Sequence, residues 1–298
     1  MILHNLPQDF FGSLFVVVHQ SADFVSQLYR VLERGGGALP ARQASDGELI
    51  LPSRIYVARS DHHLTLENGR VRVQRGPREN RHRPAIDPLF RTAAREYGPR
   101  VVGVLLSGML DDGSAGMLAV RGRGGVAIIQ DPQEAKWSQM PGRALRYAGA
   151  DFVLRAKEIG PKIVSLTASE VTMTGRGHGS ERNRPVGDDP ESNLEASNGN
   201  EGEGTPSVFA CPECHGVLWE LKENELVRFR CRVGHSYGPE SLSKEFSQPP
   251  KLPCGQRCAR WRRNPPCSVA LQTRYVSPWA QSRNVCGNNP PRTTPTRK

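Results

Sequence analysis

Four residues near the C-terminal third have the types and spacing of a metal site. Cys211 and Cys214 are separated by two residues; Cys231 follows after sixteen more, and His235 after a further three. Three thiolates and an imidazole suit tetrahedral Zn²⁺. His215 competes for the fourth place, but its adjacency to Cys214 makes it the poorer ligand. A second group of chemistry-bearing residues lies earlier. Asp111 and Asp112 follow the apolar run Gly103–Leu106 across Ser107-Gly108 and stand just before a helical stretch. A carboxylate there either caps the helix or orients a catalytic base, and spacing alone leaves both open. His19 ends the apolar run Phe15–Val18. If both runs are strands of one parallel sheet, His19 and the acid meet at its carboxyl edge, where doubly wound folds bind ligands.

The elements needed to position these residues are legible. Leu14–His19 and Val101–Leu106 read as strands buried on both faces. Asp23–Arg34 has helical spacing through Phe24, Leu28 and Leu32 and stops at Gly35-Gly36-Gly37. Ile55–Ala58 is a short strand, and Leu64–Leu66 with Val71–Val73 flank the hairpin signal Glu67-Asn68-Gly69. Asp87–Tyr97 is a helix with Asp87 as its cap and Pro88 in first position. Gly113–Val120, Pro141–Ala148 and Ile159–Leu166 are further helices, with strands at Val126–Gln130 and Phe152–Leu154. Strands alternating with helices predict an α/β doubly wound domain with a mainly parallel sheet over residues 1–168. Residues 169–207 are poor in apolar side chains and are expected to form a disordered linker. Residues 208–245 form a zinc-ribbon-like unit, in which Val217–Leu221 and Leu226–Phe229 flank a turn.

Composition narrows the class. The 298 residues carry 40 Lys and Arg against 30 Asp and Glu, a net charge of +10. Residues 246–298 hold ten Lys or Arg and no acid, which leaves residues 1–245 neutral. The basic excess therefore gives the folded part no electrostatic footprint for nucleic acid. A basic zinc-ribbon nucleic-acid binder would rest on the tail alone. The mean hydropathy of −0.51 is low for one compact globule. No apolar run reaches the ~18–20 residues of a membrane span and no signal peptide opens the chain, so a cytoplasmic protein is expected.

The stretches LPQDFFGSLFVVVHQSADF, PRENRHRPAIDPLF, VLLSGMLDDGSAG and QDPQEAKWSQMPGRAL closely resemble the catalytic domain of the chemotaxis protein-glutamate methylesterases, the CheB family. The resemblance covers about residues 1–168 and implies a Ser–His–Asp triad on a doubly wound sheet. It implies that His19 is the general base, that Asp112 orients it, and that Met109 lines the site with a backbone N–H able to hold an oxyanion. The activity implied is hydrolysis of glutamyl methyl esters on methylated chemoreceptors, with glutamine deamidation by the same chemistry and no catalytic cofactor. Further partners implied are the methyltransferase or response-regulator proteins of the same signalling system. Residues 208–245 resemble an extension found on some family members, with structural Zn²⁺.

The sequence departs from the family at the nucleophile. The family's serine sits in a G-[AS]-S-x-G-G turn after a first strand. No Ser-x-Gly-Gly occurs here, and neither Ser13 nor Ser107 has that context. The first strand and its serine are expected to be missing, as is the phosphoacceptor receiver domain, leaving a chain without esterase activity or a non-catalytic binding module. The tail changes character at Phe246, with nine prolines and four scattered cysteines, Cys254, Cys258, Cys267 and Cys286. Shifted by one base, Pro253–Arg263 permits an amphipathic helical pattern, so a frameshift near Glu245–Phe246 is expected. Arg78, Arg81 and Arg83 either approach an acidic receptor surface or simply lie in a solvated loop, and the loop is the reading favoured.

Overall fold

Side chains of β7 (Val126–Gln130) alternate between two cores: Ala127 and Ile129 pack with Leu105 and Met117, while Ile128 packs with Ile55, Val57 and Ile159. A period of two on a strand covered from both sides explains why the run is apolar throughout. A computed structural model describes residues 2–23, 26–35, 37–168, 204–223 and 225–247. The expected linker up to residue 203, the tail beyond 247 and the expected frameshifted helix lie outside the described residues.

Helices and parallel strands alternate through the first part of the chain. Strands β1 (Ser13–Val16), β3 (Arg54–Val57) and β2 (Ala41–Gln43) form one parallel sheet in the order β1-β3-β2. Strands β6 (Val102–Leu105), β7 and β8 (Phe152–Leu154) form another in the order β6-β7-β8. The single sheet expected from the sequence is thus two three-stranded parallel sheets. The reason is that β1 and β6 are both edges: among the described residues no ladder joins them. One core nevertheless spans the two, with Leu14 and Val16 of β1 and Val102 and Val104 of β6 around Ile128.

Helix α1 (Leu28–Arg34) is shorter than expected, since Ser26 and Gln27 are not helical and the Ser26 hydroxyl takes the Leu28 N–H at 3.3 Å. Gly35 ends it through an N–H bond to the Val31 carbonyl. The hairpin of β4 (His63–Glu67) and β5 (Arg70–Gln74) turns on Asn68 and Gly69 at φ of 51° and 69°, the primed turn that matches strand twist. Helices α2 (Ile86–Tyr97), α3 (Ser114–Gly122) and α4 (Gln139–Tyr147) cover one face of the β6-β7-β8 sheet. Helix α5 (Ala156–Ala168) packs on the other face through Ile159 and Ile163.

Residues 204–247 carry an antiparallel sheet in the order β12-β11-β10-β9, from β9 (Thr205–Ala210), β10 (Val217–Glu223), β11 (Leu226–Cys231) and β12 (Ser236–Tyr237), then helix α6 (Pro239–Phe246). Strand β9 starts inside the stretch expected to be linker, because Thr205 and Pro206 pair with Glu220 and Trp219 of β10. Among the described residues no helix is long and apolar enough to cross a membrane.

Candidate active site and metal cluster

The buried carboxylate of Asp112 organises the first site. Its Oδ2 lies 2.6 Å from Nε2 of His19 and accepts the Ile86 N–H at 2.7 Å. Its Oδ1 accepts from the Asn80 amide at 3.1 Å, the Asp87 N–H at 3.2 Å and the Gly113 N–H at 3.0 Å. Burial works to raise its pKa, but the His19 contact and these N–H donors outweigh it and hold the carboxyl well below the usual range. Asp112 does not cap α3, the helix that follows it, whose N-cap is Gly113 with no side-chain cap bond. It faces His19, and it caps α2 from outside by taking the N–H groups of Ile86 and Asp87, donors with no partner inside the helix.

That corrects the reading of Asp87. The residue before α2 is Ala85, in extended conformation, and Asp87 lies within the first turn. Its carboxyl accepts the Gly116 N–H at 2.7 Å and the Asn80 amide at 2.9 Å, tying α2 to α3. Burial and the neighbouring Asp112 charge push Asp87 up to about 7.

Helix α3 starts directly after Asp112 because Gly113 adopts φ of 87°, and a Cβ there would sit 2.6 Å from Leu105 Cδ1. Only glycine combines that backbone with that approach. Strand β1 ends at Val16, before His19, so the imidazole projects from the following loop rather than from the strand. The ring of His82 stacks on it at 3.9 Å between centroids and 9° between planes. Burial, then the His19 charge, pushes His82 down to about 4, so it is a neutral shelf at ordinary pH. Sequence reading did not single out His82; its signal lay inside the PRENRHRP segment.

Met109 lies in the exposed turn between β6 and α3, beside Leu110 at φ of 65°. Among the described residues the Met109 N–H has no hydrogen-bond partner. The serines near these elements are engaged elsewhere: Ser13 Oγ donates to the Leu51 carbonyl at 2.9 Å, and Ser107 Oγ accepts the Trp137 N–H at 2.8 Å. Among the described residues no hydroxyl lies within hydrogen-bond reach of His19.

The second site is the cysteine cluster. Ligand atoms of Cys211, Cys214, Cys231 and His235 all lie within 4.8 Å of one another. Cys214 Sγ is 3.5 Å from Cys231 Sγ, and His235 Nδ1 is 3.5 Å from Cys231 Sγ and 3.7 Å from Cys211 Sγ. Bond lengths of about 2.3 Å to sulfur and 2.0 Å to nitrogen give tetrahedron edges of roughly 3.5–3.8 Å, so the donor set fits such an ion. The exposed His215, at φ of 62°, closes the first knuckle instead: its N–H bonds to the Cys211 carbonyl at 2.8 Å. Burial pushes the Cys211 thiol up to about 11, so a cation is needed to hold it as thiolate.

The two sites share a wall. Gly238 N–H donates to Asn80 Oδ1 at 2.9 Å, which turns the Asn80 amide nitrogen toward Asp112. Asn80 N–H bonds to the Ser236 carbonyl at 2.8 Å. Buried Glu79 pairs with Arg91 of α2 at 2.7 Å and with Arg228 of β11 at 3.4 Å. Ser241 of α6 donates to the buried Asp111, whose pKa is pushed up to about 7 by burial and by Glu240. Arg78, Arg81 and Arg83 lie in the loop before α2, where they are ion-paired to Glu213, Glu245 and Asp61.

Comparison with known proteins agrees with the first site's setting. The family model described as CheB methylesterase matches residues 1–163. A protein-glutamate methylesterase/protein-glutamine glutaminase of Xanthomonas campestris pv. campestris is 34% identical over 172 residues, 56% of this chain and 48% of that protein. A putative member from Leptospira interrogans is 32% identical over 166 residues, covering 55% of this chain and 86% of its own. The catalytic domain of the Thermotoga maritima CheB methylesterase superposes with a TM-score of 0.52 at 32% identity, over 55% of this chain and 88% of that one. The chain spans about half the length of the Xanthomonas relative.

Proposed function

The chain belongs to the CheB methylesterase family, and from that footing we propose that residues 1–168 form the catalytic part of a chemotaxis protein-glutamate methylesterase. The substrate is a glutamyl methyl ester on a methylated chemoreceptor, and the products are glutamate and methanol. The observation that carries this reading is the 2.6 Å contact between His19 and a buried, ionised Asp112. With Nε2–H held by Asp112, His19 presents Nδ1 as the base. A serine hydroxyl gives its proton to Nδ1 as Oγ bonds to the ester carbon. The carbonyl electrons move to oxygen, where the Met109 N–H supplies a donor. Collapse expels methoxide, which leaves as methanol with the proton from His19. Water, activated by the same nitrogen, then cleaves the acyl-serine. Asp112 stabilises the imidazolium in both halves. Glutamine deamidation, in the names of the relatives, follows the same steps with ammonia leaving.

Among the described residues no hydroxyl bonds to His19, and in this reading no ester is cleaved until one is supplied. The nucleophile belongs to a G-A-S-A-G-G segment of the family type. The test is methanol release from methylated receptor membranes by a chain joined to such a segment. His19→Ala in that protein should lower the rate by about a thousandfold or more. The missing hydroxyl also supports a second reading, a non-catalytic module that binds receptors or their methyltransferase and response-regulator partners. No methanol from the joined protein, with receptor binding retained, favours that reading.

Residues 205–246 are proposed to be a zinc ribbon, with Cys211, Cys214, Cys231 and His235 holding one Zn²⁺. The ion supplies no reaction chemistry there; it fixes the two knuckles and the strands between them.

A further inference from the structure

The loop that follows His19 borders a cleft of about 180 Å³ whose lining includes Gln20, Ser21, Asp61, Arg78, Arg81 and Arg83. Arg83 is held within the catalytic part, its guanidinium 2.6 Å from Asp61, which Arg75 also contacts at 2.8 Å. Arg78 and Arg81 are different. Their acidic partners both come from the ribbon: Glu213 inside the first knuckle, 3.1 Å from Arg78, and Glu245 at the end of α6 against Arg81. The cleft wall therefore presents two guanidinium groups whose charge is cancelled by carboxylates from a distant part of the chain.

We propose that residues 205–246 are an internal ligand of the catalytic face, competing through the carboxylates of Glu213 and Glu245 for the arginines that would grip an acidic polypeptide bearing the ester. This rests on the esterase reading and names what the cleft beside that site recognises. The chemistry favours exchange. Both pairs are partly exposed, at 37% and 34% for Arg78 and Glu213 and at 19% and 22% for Arg81 and Glu245. Such rim pairs are individually weak and salt-sensitive. The ribbon's root is firmer: the buried Glu79–Arg91–Arg228 group and the Gly238–Asn80 bond need not open. An acidic segment thus displaces the two carboxylates while the root of the ribbon stays docked. Because Glu213 lies between two metal ligands, the cysteine cluster also sets where one of these carboxylates sits.

The test is fluorescence anisotropy with a labelled 20-residue Glu/Ala peptide and the full chain at low salt. Glu213→Gln with Glu245→Gln should bind the peptide about fivefold more tightly than the unaltered chain, as expected for releasing two weak pairs. Adding Arg78→Gln and Arg81→Gln should remove that gain. All variants carry the same basic tail, so their differences report on the cleft. Zinc content and thermal unfolding check that each is folded. If the knuckle variant fails that check, Glu245→Gln alone should give about a twofold gain. No gain, or a gain that survives loss of the arginines, overturns the proposal. Binding is measured without an ester, so the outcome is independent of whether the joined protein releases methanol.

Discussion

His19 Nε2 and Asp112 Oδ2 lie 2.6 Å apart although the residues are 93 positions apart in the chain. The contact is built from backbone. Asp112 is fixed by the Ile86, Asp87 and Gly113 N–H groups before it meets the imidazole. It is thus a cap of α2 that also faces an imidazole, and the His19 contact together with these N–H donors keeps its pKa low.

Asp112→Ala should cost about 3–5 kcal/mol in urea unfolding, because it strands several buried donors at once. The acid side has a definite sign. The folded pKa is depressed, so the contribution is full above the unfolded value of about 4 and is lost as pH falls toward the folded value. Asp112→Asn should flatten that part of the stability profile below about pH 4. An unchanged acid limb would contradict the assignment.

Asp111 has the opposite sign. The unfolded carboxyl titrates near 4 and the folded one near 7, so stability declines as pH rises between them and stays lower above. Asp111→Asn keeps an acceptor for Ser241 and offers an N–H to Glu240, whose buried Oε2 has no partner among the described residues. The melting-temperature advantage of Asp111→Asn over the unaltered chain should therefore grow from pH 5 to pH 8. A difference independent of pH would argue against a raised pKa at Asp111.

Legibility followed the kind of signal each residue gives. Strand β7 was readable as Val126–Gln130 because an apolar run between turn signals has one good reading, and Asn68-Gly69 announced its hairpin. The helix caps were less so: Asp87-Pro88 has the look of a start, yet the cap is supplied by Asp112 from across the fold. Such a partner leaves no local trace. The ion pairs of Arg78 and Arg81 were hidden for the same reason, since Glu213 and Glu245 lie 135 and 164 residues away. The cysteine spacing carried its own geometry, but nothing in it said that β12 and α6 would reach the wall behind Asp112.

The full chain should hold about one Zn²⁺ by elemental analysis, and Cys231→Ser should lose it. Strong chelator should abolish hydrogen-exchange protection in β10 and β11 while leaving β7 protected, because units of this kind fold on metal binding. Full protection of β10 and β11 in chelator would remove the case for a metal-held ribbon.

Gly238→Ala tests the shared wall. A Cβ there would run into the Asp111 carboxylate. The expected loss is about 1–3 kcal/mol in urea, with faster exchange at the Asn80 N–H as its bond to Ser236 loosens. Unchanged stability would mean that the ribbon does not pack against Asp111.

The most direct measurement is methanol release from methylated chemoreceptor membranes by two proteins: the 298-residue chain, and the same chain joined to a family-type G-A-S-A-G-G segment. The expected result is no release by the first and release by the second that disappears with His19→Ala. Equal release by both would mean that another residue is the nucleophile, and would contradict the assignment of His19 and Asp112 as a base and its orienting acid awaiting a serine.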